Sequence, residues 1–415
     1  MKILYLNPDR GIPVLGDKGA SVHVREFVSG AAALGHDVVL ACAALGTGNA
    51  PPPARILQLE VPTEDAILAD ACRVCGLDVE CLENPAARRE VVLLAYDHGL
   101  PARVFIDTAK IGFAPDVVYE RHALFSSAGA SIAAGLGVPR VLEVNAPLVT
   151  EQARFRGLFF KDLALKKEAE SYIKANVIIA VSEAVAAHVR SVTHSADEVR
   201  VIANGVNIAR FDSKGDREKI RRQLGLGEEA VVGFIGSFKA WHGVDQLLDA
   251  FEMVLRKHPT ATLVALGDGP ELPTLRARAA SSAYARQVIF PGRVPHCDIP
   301  DWLAAMDLTV APYLPQKDFY FSPLKIVESL AAARPVVAPR IGQIVELVAD
   351  GGTGLLFAPG SVAGCAQAIC TLLNAPARRA AMGEAGRLFA LTRDWKTVVA
   401  QVLACIRSPP AKPSA

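Results

Sequence analysis

Residues 2–43, KILYLNPDRGIPVLGDKGASVHVREFVSGAAALGHDVVLACA, contain an apolar run, a glycine-rich loop, a helix-like segment and a second apolar run. This pattern predicts a βαβ unit, because two parallel strands need a long crossover between them. Four more apolar runs follow at helix-length intervals, namely DVVYE, RVLEVN, NVIIAVS and VRVIAN. The first half of the chain is therefore predicted to be a parallel sheet with helices on both faces.

A second domain of the same class is predicted after residues 204–230, where turn residues and a charged helix interrupt the apolar pattern. Strand-like runs then resume with VVGFIGS, ATLVALGDG, QVIFPGRV, LTVAPY, PVVAPR and GLLFAPG. The predicted domains are 1–205, with an insertion of helices and loops at about 50–110, and 206–390. A C-terminal helix and a disordered tail would occupy 391–415. Two doubly wound domains of this kind would face a central cleft.

The composition is that of a globular protein, with 51% hydrophobic residues among 415 and a formal charge of +1 from 44 basic and 43 acidic residues. This balance does not favour nucleic acid as a partner. The start of the chain lacks the features of a signal peptide, and no apolar run approaches the roughly 20 residues of a membrane-spanning helix. We therefore expect a cytoplasmic protein.

The eight cysteines are expected to be reduced. Cys72, Cys75 and Cys81 form a cluster, but no second Cys-x-x-Cys pair accompanies it. A zinc site needs such a complete ligand set, so we expect no metal.

The stretch SPLKIVESLAAA, residues 322–333, predicts a helix with Ser322 as N-cap and Pro323 as its first residue. Lys325 would lie in the first turn, where the helix dipole favours an acidic residue. Lys325, together with the backbone N–H groups from Leu324 onward, would form an anion site. The alternative is a local ion pair between Lys325 and Glu328, worth about 0.2–0.5 kcal/mol.

Two further loops follow predicted strands. Lys239 and His242 lie after VVGFIGS, and two cations at the end of a strand would suit a diphosphate. The alternative is a solvated lysine and an incidental histidine. The first loop contains Gly16 and Gly19 but lacks Gly-Lys-Ser/Thr and Gly-x-Gly-x-x-Gly. It would either let a ligand approach the backbone or form a flexible turn.

The order and spacing of these motifs resemble the family 4 retaining glycosyltransferases of GT-B fold. The stretches that carry the resemblance include AVSEAVAAHV, VIANGVN, GSFKAWHGVDQLLDAF, LGDGPEL, PGRVPHCDIPDWLAAMDLTVAPY and SPLKIVESLAAARPVVA. The resemblance implies a UDP-, GDP- or ADP-sugar donor held by the second domain and an acceptor bound by the first. It also implies that neither a cofactor nor a metal is needed, and that the C-terminal helix packs back on the first domain.

The resemblance also assigns residues of the donor site. Glu328 matches the second of the family's two glutamates, which binds the donor ribose, whereas Tyr320 stands in place of the first. Ser237 and His242 stand where the family often has Arg and Lys. Lys239 and Lys325 would then supply the charge, with assistance from His242.

Other matching positions complete the expected site. The backbone at Arg293 and Val294 matches the loop that holds the base, and Gly16 and Gly19 match the loop near the phosphates and the acceptor. His122 is the candidate for the family's active-site histidine.

The expected reaction is metal-independent transfer of a hexose-type sugar to a hydroxyl group with retention of configuration. A nucleotide-sugar epimerase and a degenerate, non-catalytic sugar-nucleotide binder are the alternatives. The acceptor could be a sugar, a lipid-linked molecule or a small molecule, and peripheral contact with the inner membrane stays open.

Overall fold

A computed structural model describes residues 1–194, 198–211, 215–316 and 319–407. The chain divides into two compact units, one formed by Met1–Ala203 with Trp395–Ala415 and the other by Asn204–Asp394. The expected domain boundary, after residue 205, is two residues from the division between the units. The tail that was expected to be disordered lies, from residue 408, outside the described residues.

The first unit contains a seven-stranded parallel sheet with the order β3-β2-β1-β4-β5-β6-β7. Its strands are β1 Lys2–Asn7, β2 Asp37–Cys42, β3 Arg55–Gln58, β4 Val117–Arg121, β5 Arg140–Val144, β6 Val177–Ala180 and β7 Val199–Val201. The strand order reverses between β1 and β4. Ligands of doubly wound sheets bind at the carboxyl ends of the strands beside such a reversal.

Helices connect the strands of this unit: α1 Gly19–Ala33, α2 Asp65–Val74, α3 Pro85–Lys110, α4 Ala128–Leu136, α5 Leu148–Phe155, α6 Lys161–Ile173 and α7 Glu183–Thr193. The segment expected to be an insertion is only partly one, because β3 belongs to the sheet and pairs with β2 at its edge. The four-residue strand RILQ is too short to show a clear period, which explains why the sequence did not reveal it.

Neighbouring residues of β4 show that helices lie on both faces of this sheet. Arg121 pairs with Glu143, which also binds His23 of α1. Glu120 pairs instead with Arg140, whose guanidinium donates to the backbone of α6. Because successive side chains of a strand point to opposite faces, α1 and α6 cover opposite sides.

The second unit contains a six-stranded parallel sheet with the order β10-β9-β8-β11-β12-β13. Its strands are β8 Val231–Ile235, β9 Thr262–Leu266, β10 Val288–Gly292, β11 Leu308–Val310, β12 Val336–Pro339 and β13 Gly354–Phe357. The helices are α8 Arg217–Gln223, α9 Val244–Leu255, α10 Leu272–Ala280, α11 Ile299–Ala305, α12 Leu324–Ala331, α13 Ile344–Leu347, α14 Val362–Leu373 and α15 Pro376–Leu391. Here the strand order reverses between β8 and β11.

The last helix, α16 Trp395–Arg407, belongs to the first unit and packs on α1, which confirms the expectation for the C-terminal helix. The rings of His23 and Trp395 meet edge to face at 4.8 Å. A side chain at Gly30 would lie 3.1 Å from the carbonyl of Trp395, so glycine permits the close approach of the two helices.

In the part of the chain that the structure describes, no helix combines the length and the apolar character needed to cross a bilayer.

Candidate functional site

The loops at the carboxyl ends of β8, β9, β10 and β11 are joined by backbone hydrogen bonds. The bonds run from Gly236 N to Leu266 O (3.0 Å), from Gly267 N to Gly292 O (2.9 Å), from Phe238 N to Asp268 O (2.9 Å) and from Leu314 N to Trp241 O (3.1 Å). These loops therefore form one connected edge of the sheet. Most of the residues expected to bind the donor lie there or on α12, which follows β11.

Helix α12 begins at Leu324, and Pro323 occupies the N-cap position without a side-chain hydrogen bond to the first turn. The expectation that Ser322 caps the helix is wrong. Its hydroxyl accepts a hydrogen bond from the backbone N–H of Asn204 at 3.1 Å, and its carbonyl accepts one from the Asn204 side chain at 3.0 Å. The start of α12 therefore has N–H groups that no side chain caps.

The ammonium group of Lys325 is buried in the first turn of α12. Its Nζ has no hydrogen-bond partner among the described residues and lies 4.6 Å from the centre of the Phe234 ring and 5.0 Å from that of Tyr313. Cation–π attraction replaces only part of the lost hydration. Burial therefore lowers the pKa of Lys325 to about 7, against the opposing effect of Glu328.

Gly236 makes room for this ammonium group at the end of β8. A side chain at this position would place its Cβ 2.4 Å from the Nζ of Lys325, and the backbone has φ +150°. Glycine is the residue that satisfies both constraints without strain. The end of β8 and the start of α12 thus meet at Lys325.

His242 is neutral, which corrects the expectation of a second cation in this loop. Burial lowers the pKa of His242 to about 2, and the charges of Lys325 and Lys239 act in the same direction. Its Nδ1 lies within hydrogen-bond distance of the carbonyl of Ser237. A carbonyl can only accept, so Nδ1 carries the proton and Nε2 is the unprotonated nitrogen.

Lys239 lies on the same loop, and its ammonium group stands 4.7 Å from the centre of the Trp241 ring. Ser237 is two residues closer to β8, and its hydroxyl is 3.3 Å from the Nδ1 of His242. The loop therefore brings a lysine and a hydroxyl to the strand end that also holds Gly236. The role of these side chains in binding stays a prediction.

Glu328 lies one turn deeper in α12, and its partner is a residue that the sequence did not single out. Its Oε1 is 2.6 Å from the Nε2 of His296, and the Nδ1 of His296 is 2.8 Å from a guanidinium nitrogen of Arg210. A guanidinium only donates, so Nδ1 accepts and Nε2 donates to Glu328. Glu328 makes no ion pair with Lys325 within 4.0 Å, so the local ion pair considered above is absent at these two described residues.

These contacts explain the acidity of Glu328. Burial alone would raise the pKa of this carboxyl, but the neighbouring His296, which donates a hydrogen bond to it, outweighs the effect of burial. Arg210 and Lys325 lower it further, so the pKa of Glu328 lies below its ordinary value. Glu328 is therefore a carboxylate at neutral pH.

Tyr320 is buried in an aromatic group that follows β11. Its ring centre is 4.3 Å from that of Phe321, and the Phe319 ring packs against both Phe321 and Tyr313. An apolar group fills the place that a carboxylate has in the family's pattern. Arg293 is exposed and follows the end of β10, whereas Val294 packs against the apolar core.

In the first unit, His122 directly follows β4 and is buried together with Glu168. The Nε2 of His122 lies 3.7 Å from Glu168 Oε1, and neither ring nitrogen has a hydrogen-bond partner within the described part of the chain. The other oxygen of Glu168 is 3.2 Å from the Nε2 of His188. Burial would raise the pKa of Glu168, but these histidines hold it at about 2.

The opposite face of the same strand end carries a buried group that the sequence did not predict. Glu143, at the end of β5, is 2.8 Å from the Nε2 of His23 and accepts from Arg121 at 2.7 Å. It also accepts from Tyr119 and Asn145. Its pKa is about 2, because these partners outweigh the effect of burial. Buried charges give no periodic signal, so only the fold brings them together.

The loop that contains Gly16 is held by hydrogen bonds from Arg25 of α1. One guanidinium nitrogen of Arg25 donates to the carbonyls of Val14 and Gly16, both at 2.6 Å. Asn49 donates to the carbonyl of Leu15 at 2.9 Å. The loop is therefore fixed rather than a flexible turn, and Gly19 is the first residue of α1.

All eight cysteines are free. The sulfurs of Cys72 and Cys81 are 3.8 Å apart, and burial raises the pKa of Cys72 to about 11. No group of three or more His, Cys, Asp or Glu side chains within the described ranges could hold a metal ion.

Solved structures with the same architecture define the fold class. HepE of Anabaena, in complex with UDP and glucose, superimposes with a TM-score of 0.71 at 22% identity, over 98% of this chain and 100% of that one. Sucrose-phosphate synthase of Thermosynechococcus elongatus gives a TM-score of 0.71 at 19% identity, over 98% of each chain. These neighbours are GT-B glycosyltransferases, and the chain has their fold.

Family models match both units. The model described as Glycosyltransferase Family 4 matches residues 18–210, and the model described as Glycosyl transferases group 1 matches residues 229–375. The chain therefore belongs to the family 4 glycosyltransferases.

Two relatives show how far the similarity extends. The GDP-mannose-dependent α-(1-6)-phosphatidylinositol monomannoside mannosyltransferase of Mycolicibacterium smegmatis is 33% identical over 198 residues, which cover 46% of this chain and 52% of that protein. Glycogen synthase of Mycobacterium tuberculosis is 27% identical over 411 residues, covering 96% of this chain and 92% of that protein. The match to the mannosyltransferase thus spans about half of its length.

We predict that Lys325→Met stabilises the ligand-free protein at neutral pH. Between about pH 7 and the ordinary lysine pKa of 10.5, the unfolded chain holds a proton here that the folded chain lacks. The cost of burying Lys325 is therefore greatest below about pH 7 and falls as the pH rises. At about 1.4 kcal/mol per pKa unit, the variant should gain a few kcal/mol at pH 7 and much less near pH 10.

Thermal and urea denaturation of both proteins across this pH range measure the effect. Lys257→Met, at an exposed lysine of the same unit, is the matched control and should change little. A Lys325→Met protein that is less stable than the parent at pH 7 would show that the ammonium group is stabilised in the folded state.

Proposed function

We propose that this protein is a retaining, metal-independent glycosyltransferase that moves a hexose-type sugar from a nucleoside diphosphate sugar to an acceptor hydroxyl. The observation that carries the proposal is the buried ammonium group of Lys325, which lacks a hydrogen-bond partner in the described structure. Such a group is costly unless an anion completes the site. The uncapped N–H groups at the start of α12 favour the same ligand.

The donor diphosphate would lie between the first turn of α12 and the loop after β8. Lys325, Lys239, the Ser237 hydroxyl and the N–H groups from Leu324 onward would donate to its oxygens. His242 would contribute shape and its unprotonated Nε2 rather than charge. The backbone at Arg293 and Val294 would hold the base.

Glu328 would accept the hydroxyl groups of the donor ribose. It is ionised and fixed by His296, so its carboxylate is pre-oriented as a hydrogen-bond acceptor. Tyr320 stands at the position of the first glutamate of the family's pattern, so this position supplies no carboxylate to the sugar site. Other groups would therefore have to recognise the hydroxyl pattern of the transferred sugar.

In the proposed reaction, the bond between C1 of the sugar and the diphosphate oxygen breaks, and its electron pair remains on the diphosphate. The acceptor oxygen forms the new bond to C1 from the same face, and its proton passes to the departing phosphate oxygen. Lys325 and Lys239 would stabilise the charge that develops on the diphosphate. This is the task that a metal ion performs in other enzymes, which supports metal independence.

The acceptor would bind at the first unit, beside the loop that contains Gly16 and Gly19 and beside His122. UDP-, GDP- and ADP-sugars remain candidate donors, and a sugar, a lipid-linked molecule or a small molecule remain candidate acceptors. The free cysteines support a reducing compartment, so we place the protein in the cytoplasm.

We predict that Lys325→Met lowers kcat by about 100- to 1,000-fold, because one donor to the leaving group is lost. The measurement is donor turnover with the nucleoside diphosphate sugar that gives the largest thermal shift among UDP-, GDP- and ADP-sugars. Proton NMR of the product reports the configuration at C1, and EDTA tests metal independence. The Lys257→Met control should keep parental kinetics.

Three results would contradict the proposal: an inverted product, loss of activity in EDTA, or unchanged kinetics in Lys325→Met. If a sugar nucleotide binds but is neither transferred to an acceptor nor slowly hydrolysed, the non-catalytic alternative is favoured. Interconversion of the free donor sugar would favour an epimerase.

We predict that His296→Phe reduces discrimination between a nucleoside diphosphate and its deoxyribose analogues. The variant removes the N–H that orients Glu328. The hydrogen bond between the ribose hydroxyls and Glu328, worth about 1–3 kcal/mol, should therefore be much weaker. Calorimetric affinities for nucleoside, 2′-deoxy and 3′-deoxy diphosphates measure the effect.

His258→Phe, at a histidine of the same unit that follows α9, is the control and should keep the preference for ribose. Undiminished discrimination in His296→Phe would show that Glu328 does not bind the ribose through this pair.

A further inference from the structure

Helices α5 and α6 and the loop between them form an exposed surface in the first unit, which we call the α5–α6 surface. Four large apolar side chains lie on it and are strongly exposed: Phe155 (49%), Phe159 (51%), Leu165 (42%) and Ile173 (66%). Apolar groups so exposed and so close in sequence often mark an interaction surface.

The loop within this surface is held rigidly. The carboxylate of Glu90, on α3, accepts hydrogen bonds from the backbone N–H groups of Phe159 at 2.7 Å and Phe160 at 2.8 Å. The side chains of Leu158 and Phe160 pack inward against a buried cluster. The fold thus fixes the loop with two apolar side chains inward and Phe159 outward. The exposure of Phe159 therefore follows from the hydrogen bonds and packing of the loop.

Helix α6 continues the surface with a mixed face. Leu165, Lys166 and Ile173 are exposed, and at about 100° per residue they lie within one third of the helix circumference. Ala164, Glu168 and Ser171 are buried on the opposite side. The exposed side of α6 is therefore both apolar and cationic.

Exposed charge on this surface is mostly positive. Within residues 151–174, all described, the exposed cations are Arg154, Arg156, Lys161, Lys166 and Lys174, and the exposed acid is Asp162. The whole chain has a formal charge of only +1, so this excess is local. The guanidinium of Arg154 lies 5.1 Å from the centre of the Phe155 ring, so a cation and an apolar ring are presented together.

We propose that the α5–α6 surface docks the protein on an anionic phospholipid bilayer. The two phenylalanines and the exposed aliphatic side chains of α6 would enter the interfacial layer, and the arginines and lysines would bind lipid phosphates. A bilayer fits better than an acidic peptide, because exposed aromatic and aliphatic side chains occur together with cations along residues 154–174.

The α5–α6 surface lies next to the edge of the sheet where the acceptor is proposed to bind. Helix α5 begins four residues after β5 ends, so the surface adjoins the carboxyl edge of the first sheet. Docking would bring this edge close to the headgroups and to lipid-linked acceptors, a consequence that rests on the proposed transfer reaction. The docking itself does not depend on that reaction and is measured without turnover.

Co-sedimentation with vesicles tests the proposal. We expect the full-length protein to bind vesicles of equimolar phosphatidylglycerol and phosphatidylcholine and to bind pure phosphatidylcholine at least about tenfold more weakly. Binding should weaken as salt is raised, because the lipid charge is screened. Equal binding to both vesicles, or no binding to the anionic ones, would overturn the proposal.

Variants assign the binding to this surface. The double variants Phe155→Ser/Phe159→Ser and Arg154→Gln/Arg156→Gln should each weaken anionic vesicle binding by roughly tenfold or more. The matched controls, Ile106→Ser/Leu388→Ser and Arg256→Gln/Lys257→Gln, change exposed residues elsewhere and should bind like the parent. Circular dichroism and thermal denaturation verify that every variant is folded.

Three further outcomes separate the possibilities. Parental vesicle binding by both surface variants would overturn the proposal. A concentration-dependent dimer that the phenylalanine variant abolishes, without vesicle binding, would assign the surface to self-association instead. Vesicle binding by a protein that shows no transfer activity would support the docking and leave the proposed function to fail separately.

Discussion

A buried lysine ammonium group, surrounded by aromatic rings and without a hydrogen-bond partner within the described structure, is the central constraint of the second unit. Lys325 can occupy this place only because Gly236 has no side chain and because the loop after β11 supplies the ring of Tyr313. The same burial lowers the pKa of Lys325 and keeps His242 neutral. The site therefore holds unsatisfied donors before any ligand arrives, as expected of a preorganised anion site.

The sheet order explains how these groups meet. β8 and β11 are neighbours although almost 75 residues separate them, and the loops after both strands lie at the reversal of strand order. The residues proposed to hold the diphosphate and the ribose of the donor come from the loop after β8 and from α12, which follows the loop after β11. The first unit repeats the plan, since the loop after β1 and His122 after β4 lie beside the corresponding reversal. Buried carboxylates, Glu143 and Glu168, fix the side chains around that second reversal.

The sequence predicted the two parallel sheets because alternating apolar runs are a local signal. It indicated Lys325 as a candidate anion-binding residue because a cation in a first helical turn is a local anomaly. It could not show that Ser322 binds Asn204, since that contact joins residues 118 positions apart. His296 was missed for a similar reason, because it reaches Glu328 across 32 positions. The charge of His242 depends on burial, and the outward position of Phe159 depends on the loop that Glu90 holds; neither property is encoded by the residue type alone.

The most direct test of the account is proton uptake on binding of a nucleoside diphosphate. Isothermal titration calorimetry at about pH 8, in buffers of different ionisation enthalpy, counts the protons. Near this pH the free ligand has no phosphate proton to lose, since that pKa is about 6. Lys325 is then mostly neutral in the free protein and should become protonated beside the anion, so we predict uptake of up to one proton, absent in Lys325→Met. Binding without proton uptake in the parent, or equal uptake in both proteins, would contradict the account.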